Sequence, residues 1–413
     1  MVGTGVFTSL GYQLVDIQSA PVILFLWIVG GVLALCGALC YAELGSALPR
    51  SGGEYNFLTE LYHPGLGFIA GWVSATIGFA APTALAAITA GVYLEAVFNF
   101  IPSTLTASLL VLGLGAVHLG SRRRGGALQL GFTVAKVVLI VVLVVAALIS
   151  VPVLQDIRWQ PVTSDLSLVG TAGFAVALIF VNYAYTGWNA ATYLVGEIQG
   201  GARRLPGILL LGTTLVLFLY VLLHVMFLLV APMGAMSGKI EIGYVAGQYA
   251  FGNQGSGVVA LVLSILLVST VSAMLIAGPR ALQVIGQDFK ALGWLARENR
   301  YDVPYVAILF QTVVTLMLVL TGSFDAILVF AGFLLGANTL LAVAGVFLLR
   351  RSRRELPFRM PLYPLPVLIY LGIMIWTLTY VAFTRVEEAL FALAVVASGG
   401  IFYFITRRLP ERH

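Results

Sequence analysis

The sequence predicts an all-α integral membrane protein with about 12 transmembrane segments, some of them broken near the membrane centre. Three observations carry this. Of 413 residues, 60% are hydrophobic and only 9% are charged, whereas a soluble domain carries about 25% charged residues. Charge-poor windows recur at 17–42, 66–94, 103–120, 127–151, 166–196, 205–231, 257–279, 303–324, 326–349, 364–384 and 389–406. These are eleven full spans, since a membrane helix needs roughly 20 apolar residues. Finally, the window 166–196 has no charge, yet its centre from Asn182 to Asn189 is polar, aromatic and glycine-containing.

The net charge of +5 carries no nucleic-acid signal, because the basic residues sit in short loops at alternate ends of the spans. If the first segment exits away from the cytoplasm, eighteen Lys and Arg fall on the cytoplasmic side. These include Arg50, Arg122–Arg124, Arg203, Arg204, Arg280, Arg350–Arg354 and Arg412. Only three, Arg158, Lys239 and Arg385, fall on the other side. This bias places both termini in the cytoplasm of a multi-pass protein of the cell membrane.

Taken in order, residues 1–15 are apolar and open on Met1-Val2-Gly3-Thr4-Gly5-Val6-Phe7. They read as part of a twelfth span: the second half of a broken helix whose first half this chain lacks. There is no basic start or small-residue cleavage pattern of a signal peptide. Span two carries the only cysteines, Cys36 and Cys40, one helical turn apart. They form no disulfide framework, and no metal ligands lie near them in sequence. Pro49 and Gly52-Gly53 end this span. Residues 54–62 then read as a short amphipathic element at the membrane surface. A polar break near Asn99–Ser103 separates spans three and four, and span five carries Lys136.

Span six is the charge-free window. Two Asn, a Thr and a Gly at mid-membrane serve a helix that breaks there and frees backbone groups. Such groups are tolerated only inside protein or along a cavity, as in the discontinuous helices of transporters. The plainer alternative is a kinked bundle helix with small packing residues. Arg203-Arg204-Leu205-Pro206-Gly207 opens span seven. The loop Ala231–Gly255 holds a short helix near Tyr244–Phe251. Thr321-Gly322-Ser323 is a tight turn between spans nine and ten. A basic, Pro-rich loop from Arg350 to Pro366 precedes the last two. The order of a broken helix, a full span, a surface segment and further spans occurs twice. Repeats of five spans must be inverted relative to each other.

These residues resemble a known family. Gly3-Thr4-Gly5-Val6-Phe7 is similar to the G-[ST]-G-[IV]-F signature of amino acid–polyamine–organocation transporters. Tyr41-Ala42-Glu43-Leu44 with Pro49-Arg50-Ser51-Gly52-Gly53 resembles their Y-A-E-L…P-R-S-G-G motif. Ala184-Tyr185-Thr186-Gly187-Trp188-Asn189, with Glu197 and Pro206 downstream, resembles their sixth-helix pattern. Ala277-Gly278-Pro279-Arg280 and Pro361-Leu362-Tyr363-Pro364-Leu365-Pro366 are also similar to family stretches. The sixth-helix pattern is nearest that of the L-type light chains of heteromeric amino acid transporters and their bacterial relatives. The resemblance implies a LeuT-like 5+5 inverted repeat with broken helices 1 and 6. Residues 1–151 form the first repeat, 152–350 the second, and 351–413 the last two spans and a cytoplasmic C-terminus. Three features depart from the family. The first half-helix is missing. The Asn99–Ser103 loop lacks the cysteine that bonds a heavy chain, so no disulfide-linked partner is expected. Asn189 stands where acid-resistance arginine/agmatine exchangers have a glutamate, which argues against acid-driven arginine export.

The site follows from what an amino acid zwitterion needs. Amides opening a half-helix bind anions, which assigns the substrate carboxylate to the backbone at Thr4, Gly5 and Val6, with the glycines Gly3 and Gly5 letting the backbone approach closely. Carbonyls ending the first half of span six, at Asn182, Tyr183, Ala184 and Thr186, are the acceptors for its ammonium. The resemblance makes Tyr183 an aromatic gate. Trp188 and Asn189 shape the side-chain pocket, or simply pack. Lys136, about 12 residues past Arg124, lies roughly 18 Å along its helix, near the bilayer centre, and an intramembrane charge is a functional hypothesis by default. The resemblance implies that its ammonium replaces a sodium ion, bridging span-one carbonyls and span-eight hydroxyls such as Ser269 and Ser272; a proton carrier and a static clamp both remain open. Glu43 and Glu197 are candidates to pair with Arg50, Arg203 or Arg204 at an inner gate.

The expected function is sodium-independent amino acid transport by alternating access, through exchange or proton-linked uptake, with no cofactor or metal. No acidic side chain belongs to this residue set, which counts against a polyamine or organic-cation permease. A transporter-derived amino acid sensor is the other alternative. A channel would want a repeated filter or a ring of charge. An intramembrane protease would want H-E-x-x-H or paired mid-membrane Asp residues. None of these is present in the sequence.

Overall fold

The computed structural model describes residues 2–120, 125–193, 195–198, 200–352 and 356–408. Arg122–Arg124, Arg353, Arg354 and Arg412, used above in the charge asymmetry, lie outside the described residues. The described residues contain helices and no strand. In lipid this is expected, because a helix satisfies its own backbone hydrogen bonds.

The first helix, α1 (Gly5–Asp16), begins directly at the Gly-Thr-Gly stretch, with Thr4 preceding it. Next, α2 (Ala20–Ala47) has Pro21 in its first turn, where the missing amide costs nothing. It ends before Pro49, as expected, because the residue preceding a proline avoids the helical region. Gly52 and Gly53 take φ of +131° and +55° and turn the chain, a conformation that favours glycine. Then comes α3 (Glu54–Leu61). Here the surface-element expectation needs correction: Glu54, Tyr55, Asn56, Phe57 and Leu58 are all buried. The two glycines fold this segment inward against the bundle.

Helix α4 (Pro64–Val73) passes through a π-turn at Ser74–Gly78 into α5 (Ala80–Val97), so the two make one span. The short apolar helix α6 (Ser103–His118) follows the Asn99–Ser103 break. In α7 (Gly125–Ser150), Val134, Val138, Val141, Val145 and Ile149 are exposed, while Lys136 is only 8% exposed. A soluble helix turns its charge outward; this one turns charge inward and hydrocarbon outward, as lipid requires.

After a connecting segment, α8 (Thr163–Val169) and α9 (Ala172–Tyr185) meet at an angle of 67°. The span then breaks as expected: Thr186 is extended (φ −58°, ψ 158°) and Gly187 takes φ of +99°. Among the described residues, 3-10 turns continue it, at Trp188–Tyr193 and Val195–Glu197. Helix α10 (Gly201–Val230) starts after Gly200 in the left-handed region and carries Pro206 in its second turn. A short α11 (Met233–Met236) leads to α12 (Ile242–Asp288), which is kinked where Gly252 has φ of +69°. The short helix expected near Tyr244–Phe251 is the part before this kink. Helix α13 (Tyr305–Thr321), the Gly322-Ser323 turn and α14 (Phe324–Arg351) follow, with Ser323 capping the Ala326 amide at 3.2 Å. The chain closes with α15 (Leu365–Thr384) and α16 (Val386–Arg408).

Among the described residues, eight helices are long and apolar enough to cross a membrane. The bent α8–α9 pair and the shorter α6 and α13 supply the remaining windows read from the sequence. At the centre, α1 lies against α9, α2 against α9 and α10, and α12 against α5 and α7. Trp27, Tyr185, Tyr220 and His224 form an aromatic cluster where α2, α9 and α10 meet, with Trp27 and His224 stacked at 3.7 Å. The cluster locks the break in place: Tyr220 donates to the Ala184 carbonyl at 3.1 Å, and Tyr185 to the Trp27 carbonyl at 3.2 Å.

Candidate substrate site at the paired breaks

The two irregular stretches come together. Gly5 packs so tightly on α9 that a Cβ there would lie 2.6 Å from Ala184 Cα. The start of α1 and the end of α9 thus form one wall of a cavity of about 400 Å³. Of the residues expected at the site, Gly3, Thr4, Gly5, Tyr183, Ala184, Thr186, Asn189 and Lys136 line it. Val6, Asn182 and Trp188 do not. Val6 is fully buried in the core, Asn182 is buried near Gly336, and Trp188 packs its ring edge-to-face on Tyr41 at 4.7 Å.

The local chemistry matches helix-end physics in part. The first amides of α1 have no intrahelical acceptor, and Thr4 makes no side-chain cap. The Thr4 carbonyl is engaged by the Phe7 amide at 2.9 Å and the Thr8 hydroxyl at 3.0 Å. At the other break, the Tyr183 carbonyl accepts both the Thr186 amide (3.0 Å) and its hydroxyl (2.6 Å). Both lone pairs of the Tyr183 carbonyl are thus occupied, whereas the Ala184 carbonyl, which holds Tyr220, keeps one for a ligand.

Lys136 donates to Thr270 Oγ1 at 2.7 Å and to the Val2 carbonyl at 3.4 Å. It therefore bridges α7, the start of α1 and α12, with Thr270 in place of the neighbouring serines. Ser269 is turned toward the Leu266 carbonyl (2.7 Å), and Ser272 pairs with His118 Nε2 (3.0 Å). Each residue step rotates a side chain by about 100° around a helix, so only one of the three faces Lys136.

The gate residues also sit differently. Glu43 is fully buried and binds Arg350 through both oxygens, with the Met360 amide at 2.7 Å. It pairs with none of Arg50, Arg203 and Arg204, because its face of α2 turns toward α14 and α15. Arg50, beyond the Pro49 turn, instead pairs with Asp288 at 2.5 Å, where Tyr55 also donates at 2.6 Å. The side chain of Glu197 lies outside the described residues.

Sequence reasoning missed Glu54, Ser74, Tyr193, Thr270 and Asn338, which all line the cavity. Glu54 overturns the expectation that the site holds no acidic side chain. Its carboxylate accepts Tyr41 OH at 2.7 Å, Asn189 Nδ2 at 2.8 Å and Tyr193 OH. The usable signal was the glutamate directly after the glycine pair. Among the described residues, no group of three His, Cys, Asp or Glu is placed to hold a metal.

A sequence profile described as amino acid permease matches residues 1–404. The chain belongs to the amino acid permease family. It is 25% identical over 418 residues to the b(0,+)-type amino acid transporter 1 of Mus musculus, covering 98% of this chain and 84% of that protein. It is 26% identical to the Homo sapiens b(0,+)-type amino acid transporter 1 over the same shares. It is also 26% identical over 423 residues to the large neutral amino acids transporter small subunit 2 of Homo sapiens, covering 98% of this chain and 77% of that protein. This permease is a multi-pass membrane protein, and the breaks that meet in it lie within the motifs that carry the family resemblance.

Proposed function

We propose that this permease carries amino acids across the cell membrane by alternating access, without sodium, through exchange or proton-linked uptake. The observation that carries the reading is the meeting of α1 and the α9 break at one cavity. A substrate carboxylate faces the opening amides of α1, and its ammonium faces the carbonyls of Ala184 and Thr186, the expected Tyr183 carbonyl being taken up by Thr186. The Lys136 ammonium supplies the positive charge between α1 and α12 that a bound cation would otherwise supply. In this reading, residues 1–151 and 152–350 are the two inverted repeats, 351–413 completes the bundle, and both termini are cytoplasmic. Cys36 and Cys40 are both buried, and this reading includes no disulfide-linked partner and no enzymatic step.

The test is counterflow of labelled amino acids into proteoliposomes preloaded with an unlabelled mixture, with and without sodium and across pH. Sodium-independent counterflow of one substrate group supports the reading. Counterflow that requires sodium removes the role given to Lys136. A polyamine or other organic cation is the second reading, favoured by the Glu54 carboxylate on the cavity wall. Counterflow of a polyamine with none of any amino acid would select it.

A further inference from the structure

The loop from Ser51 to Glu54 and the second half of the broken span meet at several points. Ser51 Oγ accepts the Gly196 amide at 3.1 Å. Gly53 lies beneath the Tyr193 ring, where a Cβ would come within 2.8 Å of it. Glu54 Oε1 accepts Asn189 Nδ2, and Oε2 accepts the Tyr193 hydroxyl. The same Tyr193 hydroxyl meets Ser74 Oγ at 3.1 Å, and its ring packs edge-to-face on Phe79 at 5.7 Å.

This half-span needs holding from outside. It is built of 3-10 turns, whose hydrogen bonds are poor and whose runs are short. Glu54 is 3% exposed. A buried charge is costly unless hydrogen-bonded, and here three donors occupy three of the roughly four lone-pair sites of a carboxylate. Two of the three donors, Asn189 and Tyr193, belong to the half-span. The third, Tyr41, fixes the carboxylate to α2. The glutamate thus ties the second half of the broken span to a full-length helix, at Asn189, two residues past Gly187, and at Tyr193, six residues past it.

We propose that Glu54 is a positioning residue for transport: it sets the second half of the broken span, and through it the backbone break that receives the substrate ammonium. The proposal rests on the transport reading above and does not require Glu54 to touch substrate. It is tested by counterflow kinetics of the full chain in proteoliposomes, with KM and kcat separated, for E54Q, E54D, Y193F and the E54Q/Y193F pair. Glu54→Gln keeps the shape but loses the charged acceptor, and raises KM by about tenfold, with the thermal transition of the purified protein measured beside it. Tyr193→Phe moves KM the same way. The pair does less than the product of the two single effects, because both variants remove the shared Glu54–Tyr193 contact, while Tyr193→Phe also gives up Ser74. Glu54→Asp recovers part of the affinity.

An unchanged KM in Glu54→Gln and Tyr193→Phe overturns the proposal, as do multiplicative effects in the pair. Loss of yield or thermal stability with KM unchanged makes the role purely structural and also overturns it. If Glu54→Gln does not fold, Tyr193→Phe decides alone on KM. Absence of counterflow in the unaltered protein overturns the transport reading itself, and this proposal with it.

Discussion

Gly5 has no space for a methyl group. A Cβ there would meet both Ala184 Cα and Ala184 Cβ at 2.6 Å, and the first of these is backbone that cannot rotate away. Gly5→Ala is expected to cost about 1–3 kcal/mol of stability from overpacking and to lower counterflow at least tenfold; thermal unfolding and transport on the same preparation check both. Lys136 is the second residue-scale case. Lys136→Met leaves Thr270 Oγ1 and the Val2 carbonyl without their buried donor. A loss of about 1–3 kcal/mol is expected, with no sodium dependence appearing in its place. Sodium-stimulated counterflow in this variant would refute that expectation, because the place filled by the ammonium in the proposed reading would then be open to sodium. Both residues were legible in the sequence, since a glycine-rich start and a mid-span charge are anomalies that need no coordinates. Their partners were harder to read. Choosing Thr270 over Ser269 and Ser272 needs the rotation of α12, which a nearly featureless apolar helix does not record.

At the scale of elements, the spans could be read because lipid forbids charge inside and makes each loop charged or polar. What lay beyond reach was depth in the loops. Residues 54–62 have a surface composition, yet two left-handed glycines fold Glu54 inward, and the amphipathic pattern does not specify which way a turn points. The ion pairs show the same limit, because Glu43 and Arg350 are joined by packing of α2 on α14 across a sequence separation of 307 residues. Their burial predicts unequal costs. Arg350→Met leaves Glu43 charged and buried, a loss of about 3–5 kcal/mol. Arg50→Met breaks a half-exposed pair worth about 0–1 kcal/mol. Equal shifts in thermal unfolding for the two variants would refute this ordering.

The segment before α9 adds a pH prediction. Arg158, the Val162 amide and the Ser19 hydroxyl all donate to Asp165 and hold its carboxyl down to about 2. A depressed carboxyl stabilises the fold above the unfolded value of about 4, and this contribution disappears as pH falls toward 2. Asp165→Asn is therefore expected to unfold at lower temperature than the unaltered protein at pH 7. The gap should close on acidification; a gap independent of pH would mean that the pairing contributes nothing.

For the molecule as a whole, the eleven windows, the two breaks and the cavity assemble one arrangement in which irregular backbone lies inside and aliphatic surface lies outside. Among the described residues, the cavity lining holds two charged side chains, Lys136 and Glu54, one of each sign. A neutral zwitterion adds no net charge to that pair, so the loaded and empty cavities carry the same total. The membrane potential exerts about 2.3 kcal/mol on each elementary charge per 100 mV, roughly a fifty-fold bias, and it acts only on net charge moved. The proposed exchange, with neutral amino acids as substrates, should therefore ignore voltage: clamping proteoliposomes at opposite potassium potentials leaves its rate unchanged. A rate that follows the potential would mean that a proton travels with the substrate.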